Sequence, residues 1–288
     1  LLSSSGYHGK NMTIQTSFFV WNRKANRSLL FLILVSVSCT SLVNRIAFSP
    51  DTETSILQSR LPEWIKVVSI PTSDGLTLQG LYIHKKIKKP GVIIYFHGNA
   101  GNMYHRIRDA YQLYSFGYDV LIVSYRGYAG SEGRPSEKGV YIDGQSAVEY
   151  AKLKLQYEQS NIVIYGRSIG TAVAVDVAQN RNIKKLILIT PLSTGADVGR
   201  AAGLGFFQFL VGSPFDSMAK INNVKCPVLV IHGTQDEMIP YRLGKKLYRA
   251  YKGKKRMVTI EDGSHNDLEI KNPAMYWNAV GNFLINDQ

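Results

Sequence analysis

Residues 161–170 read Asn-Ile-Val-Ile-Tyr-Gly-Arg-Ser-Ile-Gly, and Thr-Ala-Val-Ala-Val-Asp-Val-Ala-Gln follows at 171–179. Asn161–Tyr165 is a short β-branched and aromatic run, the pattern of a strand buried on both faces. Ile169–Gln179 is rich in alanine and valine and reads as a helix. Strand passes to helix through one serine set between Gly166 and Gly170, a G-x-S-x-G pattern. Such a turn is tight and strained, and the glycines let the strand and helix backbones approach. It lifts the serine hydroxyl above the sheet edge, beside the free N–H groups and favourable dipole of a helix N-terminus. Ser168 is therefore the candidate nucleophile. The bland alternative is a loop serine that only caps the helix.

Outward from this turn, strand-like and helix-like stretches alternate. Strands are expected at Lys66–Ile70, Leu76–Ile83, Gly91–Phe96, Val120–Tyr125, Asn161–Tyr165, Lys185–Thr190, Pro227–His232 and Met257–Ile260. Helices are expected at Tyr104–Phe116, Glu137–Tyr157, Ile169–Gln179, Arg242–Tyr251 and Pro273–Leu284. The first two strands form a hairpin around Ser73-Asp74-Gly75, since Asp-Gly favours a turn. The remaining alternation implies crossover connections and an α/β, doubly wound, mostly parallel eight-stranded sheet.

A serine hydroxyl is a poor nucleophile at neutral pH. It needs a histidine to take its proton and a carboxylate to hold that histidine's tautomer. On a strand–turn–helix serine these partners come later in the chain, the acid before the histidine. Only His232 and His265 follow Ser168. His232 lies within a strand and reads as structural. His265 lies in Asp262-Gly263-Ser264-His265-Asn266, a loop after the last strand, and is the candidate base. The loop after Pro227–His232 carries Asp236 and Glu237. Adjacent residues on an extended loop point apart, so one of them faces His265, and Asp236 is the choice. An oxyanion needs two donors. Ile169, after the nucleophile, supplies one N–H, and Asn99, after His97-Gly98, supplies the other. His97 precedes the serine and reads as structural.

Five motifs occur in order: HGNAGN at 97–102, SYRGYAGSEGRPSEKG at 124–139, YGRSIGTAVA at 165–174, HGTQDEMIP at 232–240 and GSHND at 263–267. Together they resemble a branch of the α/β-hydrolase superfamily. That branch holds bacterial and fungal membrane-associated hydrolases and vertebrate α/β-hydrolase-domain proteins, among them protein depalmitoylases. The resemblance covers about residues 60–288 and implies an α/β-hydrolase fold. It also implies cleavage of a carboxylic ester or thioester through an acyl-enzyme, without cofactor or metal. The cysteine-rich N-terminus of the depalmitoylases has no counterpart here.

The 288 residues are 45% hydrophobic and 19% charged, ordinary for a globular domain large enough to need no disulfide framework. The two cysteines, Cys39 and Cys226, fit no zinc spacing. A formal charge of +13 comes from scattered lysines and arginines without the aromatic interleaving of a nucleic-acid site. A solvated loop face is the bland reading of it, and an anionic membrane surface the sharper one. Ser28–Val37 is a short apolar run behind Arg23, Lys24 and Arg27, shorter than the about 20 residues of a membrane span. Residues 1–39 are expected as a signal peptide or signal anchor, with Met12 a possible start and Cys39 a possible lipidation site. Residues 40–60 are expected as a tether and 61–288 as the catalytic domain. That places the protein at the membrane of the cell envelope.

Alternation breaks at about 192–218, read as a short apolar cap insertion. Phe206, Phe207 and Phe209 within it are candidate walls of a lipophilic acyl pocket, or simply cap packing. Two rival readings are a prolyl-oligopeptidase-related serine peptidase, whose propeller repeat is missing, and a silent hydrolase-fold binding protein.

Overall fold

A computed structural model describes residues 44, 47–54, 58–59, 61–85, 87, 89–203 and 213–286. Ten strands occur among them. A short parallel pair joins β1 (Ser49–Pro50) to β5 (Ala100–Gly101). The other eight are β2 (Ile65–Pro71), β3 (Thr77–Ile83), β4 (Val92–Phe96), β6 (Asp119–Val123), β7 (Ile162–Arg167), β8 (Lys185–Ile189), β9 (Val228–Gly233) and β10 (Lys255–Ile260). They form one sheet in the order β10-β9-β8-β7-β4-β6-β3-β2. β2 and β3 pair antiparallel, as do β3 and β6, and every other pairing is parallel. This is the α/β-hydrolase fold with the eight strands expected.

The pleat explains the layers. Every residue of β4, β6, β7, β8 and β9 is buried. Val92, Ile94 and Phe96 of β4 join one apolar cluster, while Ile93 and Tyr95 join the other. The first cluster takes its cover from α2 (Glu137–Leu153), α3 (Gly170–Ala178) and α6 (Tyr241–Ala250). The second is covered by α1 (Ile107–Ser115) and α8 (Pro273–Ile285). Side chains two apart face the same way, so an unbroken apolar run is what a sheet with helices on both faces requires.

Shorter pieces among the described residues are 3₁₀ turns at Met103–Arg106, Gln159–Asn161 and Ile221–Asn223, and α4 (Gly195–Ala201), α5 (Ser217–Lys220) and α7 (Leu268–Lys271). The helix expected to run to Tyr157 stops at Leu153. Gln156 has φ +58, outside helical space, and the turn delivers the Tyr157 hydroxyl to the buried Asp119 carboxylate at the foot of β6.

Part of the stretch read as a tether packs on the rest of the chain: Phe48 is buried against Phe215, and β1 pairs with β5. Sequence polarity concealed this because one apolar side chain and backbone hydrogen bonds do the holding. Cys39, Phe206, Phe207 and Phe209 lie outside the described residues. No helix among the described residues is long and apolar enough to cross a membrane.

Candidate active site

β4 and β7 are neighbours in the sheet, and the chain leaves them toward opposite sides, β6 beside β4 and β8 beside β7. The crevice at such a switch point, at the carboxyl ends of the strands, is where open α/β sheets place ligands. The loop after β4 carries Gly98 and Asn99, and the turn after β7 carries Ser168.

Ser168 has φ +55, a left-handed backbone that a serine adopts only when its surroundings enforce it. The enforcement is visible. A Cβ on Gly166 would lie 2.6 Å from the Gly170 carbonyl oxygen, and one on Gly170 would lie 2.2 Å from that of Phe96. Strand, turn and neighbouring strand are thus closer than any side chain permits. The Ser168 N–H donates to the Ile189 carbonyl at 2.9 Å, and the Thr171 hydroxyl donates to the Ser168 carbonyl at 2.6 Å.

Asp236 follows β9, and His265 follows β10. These two strands pair in register, Thr259 with His232 and Ile260 with Gly233. Their loops therefore emerge side by side. Gly233 approaches Gly263 so closely that a Cβ would fall 2.2 Å from the Gly263 carbonyl oxygen. The structure brings all three side chains together. His265 Nδ1 lies 2.8 and 3.0 Å from the two Asp236 oxygens, and Nε2 lies 2.9 Å from Ser168 Oγ.

Asp236 is buried, and burial by itself would raise its carboxyl pKa. Hydrogen bonds from His232 and His265, and from the Ile239 N–H at 2.7 Å, outweigh that and hold it well below the carboxylate range. The Met238 N–H donates to the same oxygen at 3.0 Å. Facing a charged Asp236, Nδ1 of His265 carries the proton, and Nε2 is left as acceptor for the Ser168 hydroxyl.

Three residues near the site have roles that sequence reasoning missed. His232, read as merely structural, sends Nε2 to the Ile239 carbonyl at 2.8 Å and stands 3.2 Å from Asp236 Oδ2. Arg167 is buried beneath the turn, paired with Glu269 at 3.1 Å, and its guanidinium reaches the His265 carbonyl at 3.5 Å. Glu237 does not face the imidazole, but its carboxylate accepts from the His265 backbone N–H at 3.3 Å. Only a G-x-S-x-G with arginine at the variable place hinted at any of these.

His97 behaves as expected. It is fully buried, donates from Nδ1 to the Gly98 carbonyl at 2.7 Å, and packs on Tyr125 and Tyr128. Burial lowers its pKa to about 3, so the ring is neutral. Asn99 has its carbonyl oxygen taken by the Tyr128 hydroxyl at 2.8 Å and its side-chain Oδ1 by the Ser49 N–H. The loop bearing it runs close beside Ser168: a Cβ on Gly98 would lie 3.3 Å from Ser168 Cβ. Ile169 sits at the N-terminus of α3, where the first N–H groups have no intrahelical acceptor.

A family model described as alpha/beta hydrolase fold matches residues 91–211. An uncharacterized protein of Mycobacterium tuberculosis (strain H37Rv) is 34% identical over 220 residues, 75% of this chain and 78% of its own. The alpha/beta hydrolase domain-containing protein aho-3 of Caenorhabditis elegans is 33% identical over 193 residues, 67% of this chain and 57% of its own. Among solved structures, the esterase Pf2001 of Pyrococcus furiosus superposes with a TM-score of 0.65 at 20% identity, over 82% of this chain and 96% of its own. An alpha-beta hydrolase of Vibrio vulnificus gives 0.66 at 20% identity, over 87% and 93%. At such identities the structural likeness speaks to the fold alone.

Proposed function

The chain belongs to the α/β-hydrolase family, and from that premise we propose that it is a serine hydrolase cleaving carboxylic esters or thioesters of lipophilic acyl groups. The observation that carries this reading is the unbroken hydrogen-bond path Ser168–His265–Asp236, entered by a serine at φ +55 on a helix N-terminus. Ser168 Oγ attacks the acyl carbonyl carbon as His265 Nε2 takes its proton. Charge that develops on the carbonyl oxygen is met by the N–H groups of Ile169 and Asn99. Asp236, already charged, stabilises the imidazolium without taking a proton itself. The imidazolium then protonates the leaving alcohol or thiol. A water, deprotonated by the same histidine, releases the acid from Ser168.

Steady-state hydrolysis of a p-nitrophenyl ester series tests the reading. Ser168→Ala and His265→Ala should each lower kcat by about 10⁴-fold or more, because the members act as a unit. Asp236→Asn should also be crippling and Glu237→Gln mild. For wild type, kcat/KM should rise about fourfold per added methylene until the acyl site is full, from about 0.8 kcal/mol of burial each. Near-normal turnover by Ser168→Ala sinks the nucleophile assignment, and a flat chain-length profile sinks the lipophilic substrate.

A further inference from the structure

The oxyanion-side loop is poor in means to hold itself. Residues 97–101 are His-Gly-Asn-Ala-Gly, and three of the five carry no side chain beyond a methyl. Gly101 has φ +75, so the chain there takes a form most residues resist. Its ties come from outside. One is the Tyr128 hydroxyl on the Asn99 carbonyl. The Tyr125 hydroxyl holds the His97 carbonyl at 3.1 Å and the Arg106 guanidinium the Ala100 carbonyl at 2.6 Å, and a further set of ties comes from chain that lies well before β2.

Ser49 and Pro50 run parallel to Ala100 and Gly101, and the Ser49 N–H donates to Asn99 Oδ1. Further along, the Glu53 carbonyl accepts from Asn102 Nδ2 at 3.0 Å, and the Asp51 carbonyl accepts from the Ala129 N–H at 3.0 Å. Phe48, 5% exposed, anchors the start of this stretch with its ring centroid 5.9 Å from that of Phe215. An apolar peg, a pair of backbone-to-backbone rungs and two side-chain ties thus fasten residues 48–53 across the loop. The strand pairing and the bonds to Asn99 and Asn102 act on the loop and its end, while Phe48 on Phe215 and Asp51 on Ala129 hold the stretch itself in place.

We propose that residues 48–53 are a positioning strap for the oxyanion loop, acting on catalysis through the bond from Ser49 to Asn99. Donors aimed in advance at a developing charge are worth most when nothing need reorganise at the moment of reaction. The Asn99 N–H shares its peptide plane with the Gly98 carbonyl, which His97 Nδ1 holds at 2.7 Å, and with its own carbonyl and side-chain oxygens also fixed Asn99 is held on both sides of its Cα, which sets the direction of that N–H. The strap touches no reacting atom. It rests on the oxyanion role proposed for Asn99, and it makes the N-terminal chain part of the enzyme's working machinery.

The test uses the full chain and p-nitrophenyl ester turnover, with Ser168→Ala alongside. Ser49→Pro deletes the donor at an exposed position, Asn99→Ala deletes the acceptor, and Phe48→Ala removes the peg, with Phe48→Leu as its conservative counterpart. Ser49→Pro and Asn99→Ala should each lower kcat about 10- to 100-fold, somewhat below the 10²–10³ of losing an oxyanion donor outright. KM should stay within about twofold, because the ground-state carbonyl gains little from that donor. The Ser49→Pro/Asn99→Ala pair should be no slower than the slower single variant, since both cut one bond. Phe48→Ala should follow Ser49→Pro, and Phe48→Leu should recover most of the rate. If Phe48→Ala does not fold, the Ser49–Asn99 cycle decides alone. Either single variant of that cycle within twofold of wild-type kcat, or losses that multiply in the pair, overturns the strap. An inert Ser168→Ala beside fully active strap variants overturns the strap only. A fully active Ser168→Ala overturns the serine-hydrolase reading itself.

Discussion

Asp236 and Glu237 are neighbours in one loop, yet they meet His265 from different directions. Asp236 is tucked under the ring and accepts the hydrogen bond from Nδ1, whereas Glu237 is exposed and accepts from the backbone N–H of the same residue. A histidine held at both ring and backbone keeps one orientation, which is what a base requires. His232 adds a second imidazole to the acid. Its ring is crowded by α6, where a Cβ on Gly244 would fall 2.1 Å from Nδ1. Glycine inside a helix costs roughly 1 kcal/mol against alanine, so this glycine is kept for the close approach. Gly244→Ala should therefore destabilise by about 1–3 kcal/mol through overpacking, despite its better helix propensity. It should also reduce kcat, because the ring it displaces supports Asp236. Urea unfolding beside steady-state rates checks both effects, and a stabilised, fully active variant would mean the helix simply relaxes away. The histidine that meets Ser168 was legible in the sequence because only two histidines follow that serine. The supporting place of His232 was not, since position in a strand says nothing of what stands at the strand's end.

Strands were far more legible than their surroundings. The five strands β4 and β6 to β9 were visible as apolar runs, since burial on both faces leaves little room for polar side chains. The short parallel pair β1–β5 was invisible, because two residues held by backbone bonds leave no pattern of side chains. The early end of α2 was hidden for a different reason: what stops it is the attachment of Tyr157 to Asp119, far away in the chain. β7 and α7 are joined by a similar long-range contact. Arg167 ends β7, while Glu269 lies in α7 directly after the His265 loop, and Asp109 of α1 stands 3.9 Å from the same guanidinium. Removing one partner of a buried pair leaves the other charge stranded, at about 3–5 kcal/mol. Arg167→Met should show that loss in urea unfolding, with a fall in kcat as the His265 loop loosens. Arg167→Lys should lie between, keeping the charge but not the planar fork. Equal stability of all three would assign Arg167 no bracing role.

The molecule as a whole carries +13 formal charges, and several of its carboxylates are held by cations. Arg126, itself buried, grips Asp74 through two bonds of 2.9 and 3.2 Å and Asp143 through another of 2.9 Å. The Arg126 guanidinium, helped by the Thr72 hydroxyl, lowers the Asp74 carboxyl from its ordinary 3.8 to about 2. Asp197, although burial opposes it, is likewise brought to about 2 by Lys246, Ser193 and Arg200. A depressed carboxylate stabilises the fold fully above its unfolded pKa and loses that contribution as pH falls to the folded one. The stability gap between wild type and Asp74→Asn should accordingly be constant above about pH 5 and close between about pH 4 and pH 2. Thermal melts over that range decide it, and a gap that persisted at pH 2 would show that the bond works without charge. One contact has a consequence of another kind. The Gly195 N–H donates to the Pro214 carbonyl at 2.6 Å, which pins two positions well apart in the chain side by side. Lengthening the chain that joins them beyond α4 costs only closure entropy, about 0.6 kcal/mol for each doubling. A designer can graft there while the strands that present Ser168, Asp236 and His265 stay where they are.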